Sequence, residues 1–324
     1  MPTSPRTAVV AVGGNALLEG GGPATIAEQF DAARRLAPQL CRLVADGWRI
    51  VLTHGNGPQV GFIMRRSDLV ADIEPGLPQL GLDMAVADSQ GSLGYILGAT
   101  LRGEVRAAGL DQPVVALLTH TVVDPDDPAF GAPTKPIGSF YEEADARRLA
   151  DANGWAVAED SGRGWRRLVG SPRPLRIVEQ EAIETLVDSG FLVVAAGGGG
   201  IPVVETPDGR LHGVEAVIDK DFASALLATA LHADLLCITT GVDRVAVNFG
   251  RPDERALDVV GVDEARRHLA DGQFPAGSMG PKIEAALGFL EAGGDEVLIC
   301  GPDRLADALD GATGTRVVAA AHAA

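Results

Sequence analysis

The sequence predicts an α/β fold: a three-layer αβα sandwich around an open, mostly parallel sheet. Three observations lead there. Short runs rich in Val, Ile and Ala recur along the chain, amphipathic stretches separate them, and three of the runs end in glycine-rich turns. TAVVAV, RIVLTH, PVVALLT, FLVVAA, LLCITT and EVLIC lack the polar alternation of a half-solvated strand, so they read as strands buried on both faces. Helical stretches lie between them at roughly 26–45, 57–72, 79–108, 177–189, 221–233, 281–292 and 303–309. Such alternation puts helices on both faces of a doubly wound sheet. Pro38 interrupts the first stretch, which predicts a kink there or two shorter helices.

The pattern changes in the middle of the chain. Residues 122–172 are richer in Pro, Asp and Gly and hold two of the three tryptophans. The stretch is too long for a plain connection. It reads as a small protruding subdomain inserted in a single domain of 1–324, over the active site, with Lys135 on an arm. A surface elaboration without function is the plainer reading. ETPDGRLHG reads as a turn between two short antiparallel strands.

Composition narrows the classes of function. A net charge of −17 argues against nucleic acid as a partner, because phosphate neutralisation needs a basic surface. Cys41, Cys237 and Cys300 are far apart inside apolar runs, without metal-ligand spacing, and read as small buried hydrophobes of a reducing compartment. The N-terminus lacks an apolar signal core, and no stretch approaches the roughly 20 apolar residues of a membrane span. A cytoplasmic protein with no membrane partner is expected.

The glycine-rich turns AVVAVGGNAL, IVLTHGNGPQVG and VVAAGGGGIPVV carry the chemistry. Turns at the carboxyl ends of parallel strands share one edge, where ligands bind. Glycines let backbone approach a phosphate, and the next helix offers its free N–H groups. Gly13, Gly14, Asn15, Gly55, Asn56, Gly57, Gly198 and Gly199 are the candidate phosphate- and substrate-binding residues. No GxxxxGK[ST] is present, and HGNGPQVG has the spacing GxGxxxG, so neither a P-loop nor a dinucleotide fingerprint fits.

Of 27 basic residues only three are lysines, Lys135, Lys220 and Lys282, and all three lie beside Gly, Pro or Asp. An ammonium fits a tight site that the planar arginine fork does not. Phosphoryl transfer needs positive charge on the equatorial oxygens of the moving group, and Lys220 and Lys282, at expected helix starts, suit that task. Asp221 either orients these lysines or is an N-terminal helix acid favoured by the dipole. His54 lies nearest to a glycine turn, but no histidine shows a triad partner at suggestive spacing. An acceptor that is already an anion needs no base.

VVAVGGNAL, LTHGNGPQVG, PTKPIGSFY, GWRRLVGSPRPLRIVE, VVAAGGGGIPVV, GVEAVIDKDFASALLA and GSMGPKIEAAL together resemble the ordered motifs of the carbamate kinases, within the amino-acid kinase superfamily. The resemblance implies that fold, a homodimer, and reversible phosphoryl transfer between ATP and carbamate giving ADP and carbamoyl phosphate, with Mg2+ on the nucleotide. It implies a direction toward ATP in arginine or ureido-compound catabolism. Lys220 and Lys282 would steady the phosphoryl group, Asp221 would organise them, and Lys135 would reach in from the subdomain. Thr240, Phe249, Ser278, Met279 and Gly280 would line the nucleotide side. Two departures from relatives, Gly241 in place of an acid and Arg251 near a usual lysine, bear on nucleotide contact. A kinase for another small anion and a non-catalytic nucleotide-binding subunit are the alternatives.

Overall fold

The computed structural model describes residues 5–319 apart from 15–24, 72, 75, 161 and 163. The chain begins with β1 (Thr7–Val12), α1 (Ile26–Ala45), β2 (Arg49–His54), α2 (Gly57–Ala71), α3 (Leu82–Ala107) and β3 (Val114–Ala116). Its middle holds β4 (His120–Val123), β5 (Lys135–Tyr141), α4 (Glu143–Asn153), β6 (Ala156–Glu159), β7 (Trp165–Val169), β8 (Pro174–Ile177), α5 (Gln180–Asp188), β9 (Leu192–Val194), β10 (Ile201–Glu205) and β11 (Leu211–Gly213). There follow α6 (Lys220–Ala230), β12 (Leu235–Thr239), β13 (Ala246–Val247), β14 (Arg255–Ala256), β15 (Val259–Gly261), α7 (Val262–Ala270), α8 (Met279–Glu291), β16 (Glu296–Cys300), α9 (Leu305–Leu309) and β17 (Thr315–Val318).

Eight strands make the main sheet in the order β15-β17-β16-β12-β1-β2-β9-β3. Every neighbouring pair is parallel except β16 with β17. The strands are mostly apolar because both faces are covered. Val9, Ala11, Val51, Val193, Leu236 and Ile238 pack on the face held by α5, α6, α7 and α8. Their neighbours Ala8, Val10, Leu52, Val194, Leu235 and Cys237 face α1, α3 and α9. Successive side chains thus enter opposite cores, as the pleat requires, and the three-layer sandwich read from the sequence is present. Among the described residues no helix is long and apolar enough to cross a membrane.

Two local expectations are corrected. The helix carrying Pro38 is not divided: Ile26–Ala45 is one element. Pro38 is on its exposed face, as is Arg34, whose carbonyl loses its N–H partner, while Leu36, Ala37 and Leu40 stay packed. PVVALLT is not one strand. The side-chain amide of Gln90 accepts from Thr119 N at 2.8 Å and donates to Thr119 O at 3.0 Å, taking both groups away from the main ladder. The chain then turns into β4, part of a second sheet, β11-β10-β4-β8. ETPDGRLHG joins β10 to β11 as an antiparallel pair.

Within the stretch 122–172, residues 135–169 form a separate three-stranded sheet, β5-β7-β6, with α4 against it. The flanking strands β4 and β8 pair with each other in the second sheet. Lys135 opens β5 opposite Val169 of β7.

His54 ends β2 wholly buried. Loss of water around the ring pulls its pKa from 6.5 to about 4, against a weaker upward effect from the Gly55 carbonyl. The folded protein therefore resists a proton that the unfolded chain accepts below 6.5. Stability should fall by on the order of 3 kcal/mol as pH drops from 6.5 through 4, with no effect of this residue above 6.5. Urea unfolding of wild type and His54→Gln across that range checks it: the variant should show a flatter slope.

Candidate active site

β1, β2, β9, β12 and β16 run the same way, so the turns after them open on a single edge. There a cleft of about 870 Å3 is lined by Gly13, Gly14, Gly55, Asn56, Gly57 and Gly198 on one side. The turns after β1 and β2 touch backbone to backbone: a Cβ on Gly55 would stand 2.6 Å from Gly14 N and 3.4 Å from the Lys220 side chain. Only glycine leaves room for both. Asn56 is buried and donates from Nδ2 to Ser89 Oγ at 2.7 Å, which ties its turn to α3. Gly57 begins α2 and Lys220 begins α6, so two helices bring free N–H groups to this edge.

The lysines converge here. Lys220 Nζ donates to Asp221 Oδ1, Lys282 Nζ donates to Asp221 Oδ2 at 2.8 Å, and Lys135 Nζ donates to Asp219 Oδ2 at 2.7 Å. Asp219 caps α6, accepting from Asp221 N at 2.9 Å through Oδ1. Lower on α6, Ser224 Oγ lies 2.6 Å from Thr53 Oγ1 of β2, which fixes the helix against the sheet one turn below Lys220. Lys282 comes from the first turn of α8, whose Pro281 is tolerated because that turn has no intrahelical N–H partners to lose.

Asp221 is 3% exposed and is the one carboxylate among the buried side chains of the described residues. Burial alone would raise its pKa. The attraction of Lys220, then of Lys282, outweighs that and holds it at about 2. Burial pushes the Lys220 ammonium below its ordinary 10.5, against the pull of Asp221, and Lys282 adds to the lowering. Three ammonium groups here touch two carboxylates, so this cluster carries a positive excess inside a chain of net charge −17, while Asp243, Asp303 and Arg304 also line the cleft and bring its lining to balance.

The other wall comes from the turns after β12 and β16. Thr240, Gly241, Asp243, Ser278, Gly301 and Arg304 line it, and Thr240 N donates to Cys300 O at 2.9 Å, holding the two turns together. Of the expected residues, Gly199 is not on the cleft surface but behind it, against Ile218. Met279 and Gly280 likewise stand behind Ser278, with Gly280 packed on the Pro275 carbonyl. Phe249 is 62% exposed and outside the lining, because it follows Asn248 on the β13–β14 turn. Asn15 lies outside the described residues. Sequence reading missed Asp219, Asp243 and Thr239, whose Oγ1 accepts from Gly13 N at 3.3 Å. Asp219 had a signal: an Asp before a helix start is an N-cap.

Among the described residues no group of three or more His, Cys, Asp or Glu side chains is placed to hold a metal. Asp219 and Asp221 are engaged by lysines. These donors fit a divalent cation carried in on nucleotide phosphates, the usual manner for Mg2+, rather than one caged by protein.

The fold and site define a class. Residues 6–301 match the amino acid kinase family, and the chain belongs to it. Carbamate kinase of Thermococcus kodakarensis is 48% identical over 314 residues, 97% of this chain and 99% of that protein. Carbamate kinase-like protein YahI of Escherichia coli is 47% identical, covering 96% and 98%. A solved carbamate kinase from Giardia lamblia bound to AMP-PNP superposes with a TM-score of 0.90 at 40% identity, covering 97% of this chain and 99% of that one.

Removing the Asp221 charge should leave two ammonium groups facing each other. Asp221→Asn is expected to lose about 3–5 kcal/mol of folding stability near neutral pH, as when one partner of a buried ion pair is deleted. Lys220 would then fall further below 10.5, so the loss should shrink as pH rises toward that value, where the unfolded chain also gives up its proton. Denaturant unfolding at several pH values decides; a deficit that does not change with pH contradicts this electrostatic account.

Proposed function

We infer that the chain is a carbamate kinase, moving a phosphoryl group reversibly between ATP and carbamate to give ADP and carbamoyl phosphate. One observation carries the reading: the three lysines of a 324-residue chain meet in one glycine-walled cleft. Near-full-length identity to proteins named carbamate kinase supports it.

The chemistry follows from charge. A carbamate oxygen attacks the terminal phosphorus while the bond to the ADP oxygen breaks. Nucleophile and leaving group are both anions, so no proton need be removed. His54, the histidine nearest the cleft, is buried, neutral and packed beside Gly197, which makes it a poor base for a protic acceptor. The barrier is the meeting of like charges. Lys220 and Lys282 place ammonium groups on the moving phosphoryl, with Asp221 fixing their angle. Gly13, Gly14, Gly55, Asn56, Gly57 and Gly198 let acceptor and phosphoryl approach the backbone, and Lys135 covers the acceptor. The base and sugar of the nucleotide take the wall of Thr240, Asp243 and Ser278. When bound with the nucleotide, Mg2+ would supply counter-charge to its phosphates. A cytoplasmic location belongs to the same reading, supported by three free buried cysteines.

A homodimer fits the surface. Met84, Gly91, Tyr95 and Ala99 are exposed along α3 with the charged Asp88 among them, and Leu69, Ile73 and Leu77 are further exposed apolar side chains. A second copy of the chain is the proposed occupant. Sedimentation should show a dimer, and Tyr95→Asp a shift toward monomer; a monomeric wild type would refute this.

Pure protein given ADP, Mg2+ and carbamoyl phosphate should make ATP, and absence of turnover by protein that binds nucleotide would overturn the assignment. Lys220→Ala or Lys282→Ala should lower turnover about a hundredfold to a thousandfold. Lys220→Arg should rescue poorly because its fork is too wide beside Gly55; wild-type rates would contradict the assigned role. Lys135→Ala should raise the KM for carbamoyl phosphate more than it lowers kcat. The reverse pattern would move Lys135 to phosphoryl stabilisation.

A further inference from the structure

The small β5-β7-β6 layer packs on the body of the protein through Ile137 and Val169 against Val60 and Met64, and three polar or close backbone contacts add to this. Backbone touches backbone where a Cβ on Gly61 of α2 would stand 3.3 Å from Gly138 Cα. Arg167 Nη2 donates to Glu215 Oε2 at 3.0 Å, while Glu215 Oε1 accepts from Leu82 N at 2.7 Å at the start of α3. The third contact, Lys135 with Asp219, is the one whose two residues both line the cleft.

Asp219 divides its carboxylate between two tasks. Oδ1 caps α6 at Asp221 N, and Oδ2 holds the Lys135 ammonium. The Asp219 side chain is 13% exposed and that of Lys135 is 40% exposed, so the aspartate is the fixed partner and the lysine the docked one. An ammonium has three N–H donors, and Asp219 uses one. Among the described residues nothing else binds the other two, which can turn toward an anion in the cleft. A long, flexible side chain on a separate layer would otherwise have to be ordered by the substrate itself, at a cost in side-chain freedom.

Resting on the function inferred above, we propose that Asp219 is a positioning residue for the acceptor: it holds Lys135 over the cleft before substrate arrives, acting through Lys135 and not on the reacting atoms. Asp219 is thus neither a helix cap alone nor a competitor that the substrate must displace.

Asp219→Asn separates the tasks. Asparagine caps a helix about as well as aspartate, so thermal unfolding should stay near wild type, but the charge that holds Lys135 is gone. The KM for carbamoyl phosphate should rise about fivefold, the upper end of what a partly exposed ion pair contributes. The KM for ADP should be unchanged and kcat should change less than the KM for carbamoyl phosphate. In a Lys135→Ala background the same substitution should add nothing to the KM for carbamoyl phosphate. Glu215→Gln, which weakens an ionic contact of the layer away from the cleft, should leave that KM near wild type. An unchanged KM in Asp219→Asn, a lowered one, full additivity with Lys135→Ala, or an equal rise in Glu215→Gln would each overturn the proposal. Wild-type ATP formation separates the two readings. Its absence sinks the assigned reaction, whereas active wild type with an unaltered variant sinks the role of Asp219 alone.

Discussion

Two ammonium groups share one buried carboxylate at the mouth of the sheet, and the layout of the cleft depends on that sharing. Lys220 comes from the first turn of α6 and Lys282 from the first turn of α8. Without Asp221 the two positive charges would repel in a region from which most water is excluded, where such interactions are strongest. With it, their head groups are held a hydrogen bond away from a common point, and the starts of both helices are drawn to the same place. Burying such a cluster seldom adds stability, because desolvation offsets the attraction. Its retention in the interior is better explained by the fixed positive field it offers to an anion.

That field needs a backbone that can come close. β1 and β2 pair in parallel over their whole length, so their following turns emerge side by side. A side chain at Gly55 would meet the Gly14 backbone at 2.6 Å and force those turns apart. The Ser224–Thr53 hydrogen bond then sets how far α6 can slide along β2. Strand pairing, glycine contact and helix docking are therefore one device, and the ammonium positions are its output.

Charge is distributed with the same economy. The surface is acidic and its cations are mostly arginines in exposed ion pairs, such as Arg147 with Glu143 and Arg266 with Glu291, contacts that contribute little each. The three lysines are all in the cleft. An acidic exterior would repel anionic substrates at a distance, but solvent ions screen that effect beyond about 10 Å, while the buried lysine cluster is screened far less.

The sequence by itself determined the parts that are local. Apolar runs of strand length, amphipathic stretches and strand-ending glycines gave the layered sheet and its ligand edge, because each depends only on neighbours along the chain. Scarcity picked out Lys135, Lys220 and Lys282 before any contact was known. Long-range contacts decided the rest. PVVALLT divides between two sheets because Gln90, far away on α3, takes the backbone of Thr119. Pro38 is tolerated because α1 turns that face to water. The edge strand β15 and its neighbour β17 are only three and four residues long, too short for periodicity to register, and exist through the pairing of β17 with both β15 and β16. The second task of Asp219 could not be read either: its cap is written in the residues beside it, but its lysine is 84 positions away, brought near only when the small layer packs on the body.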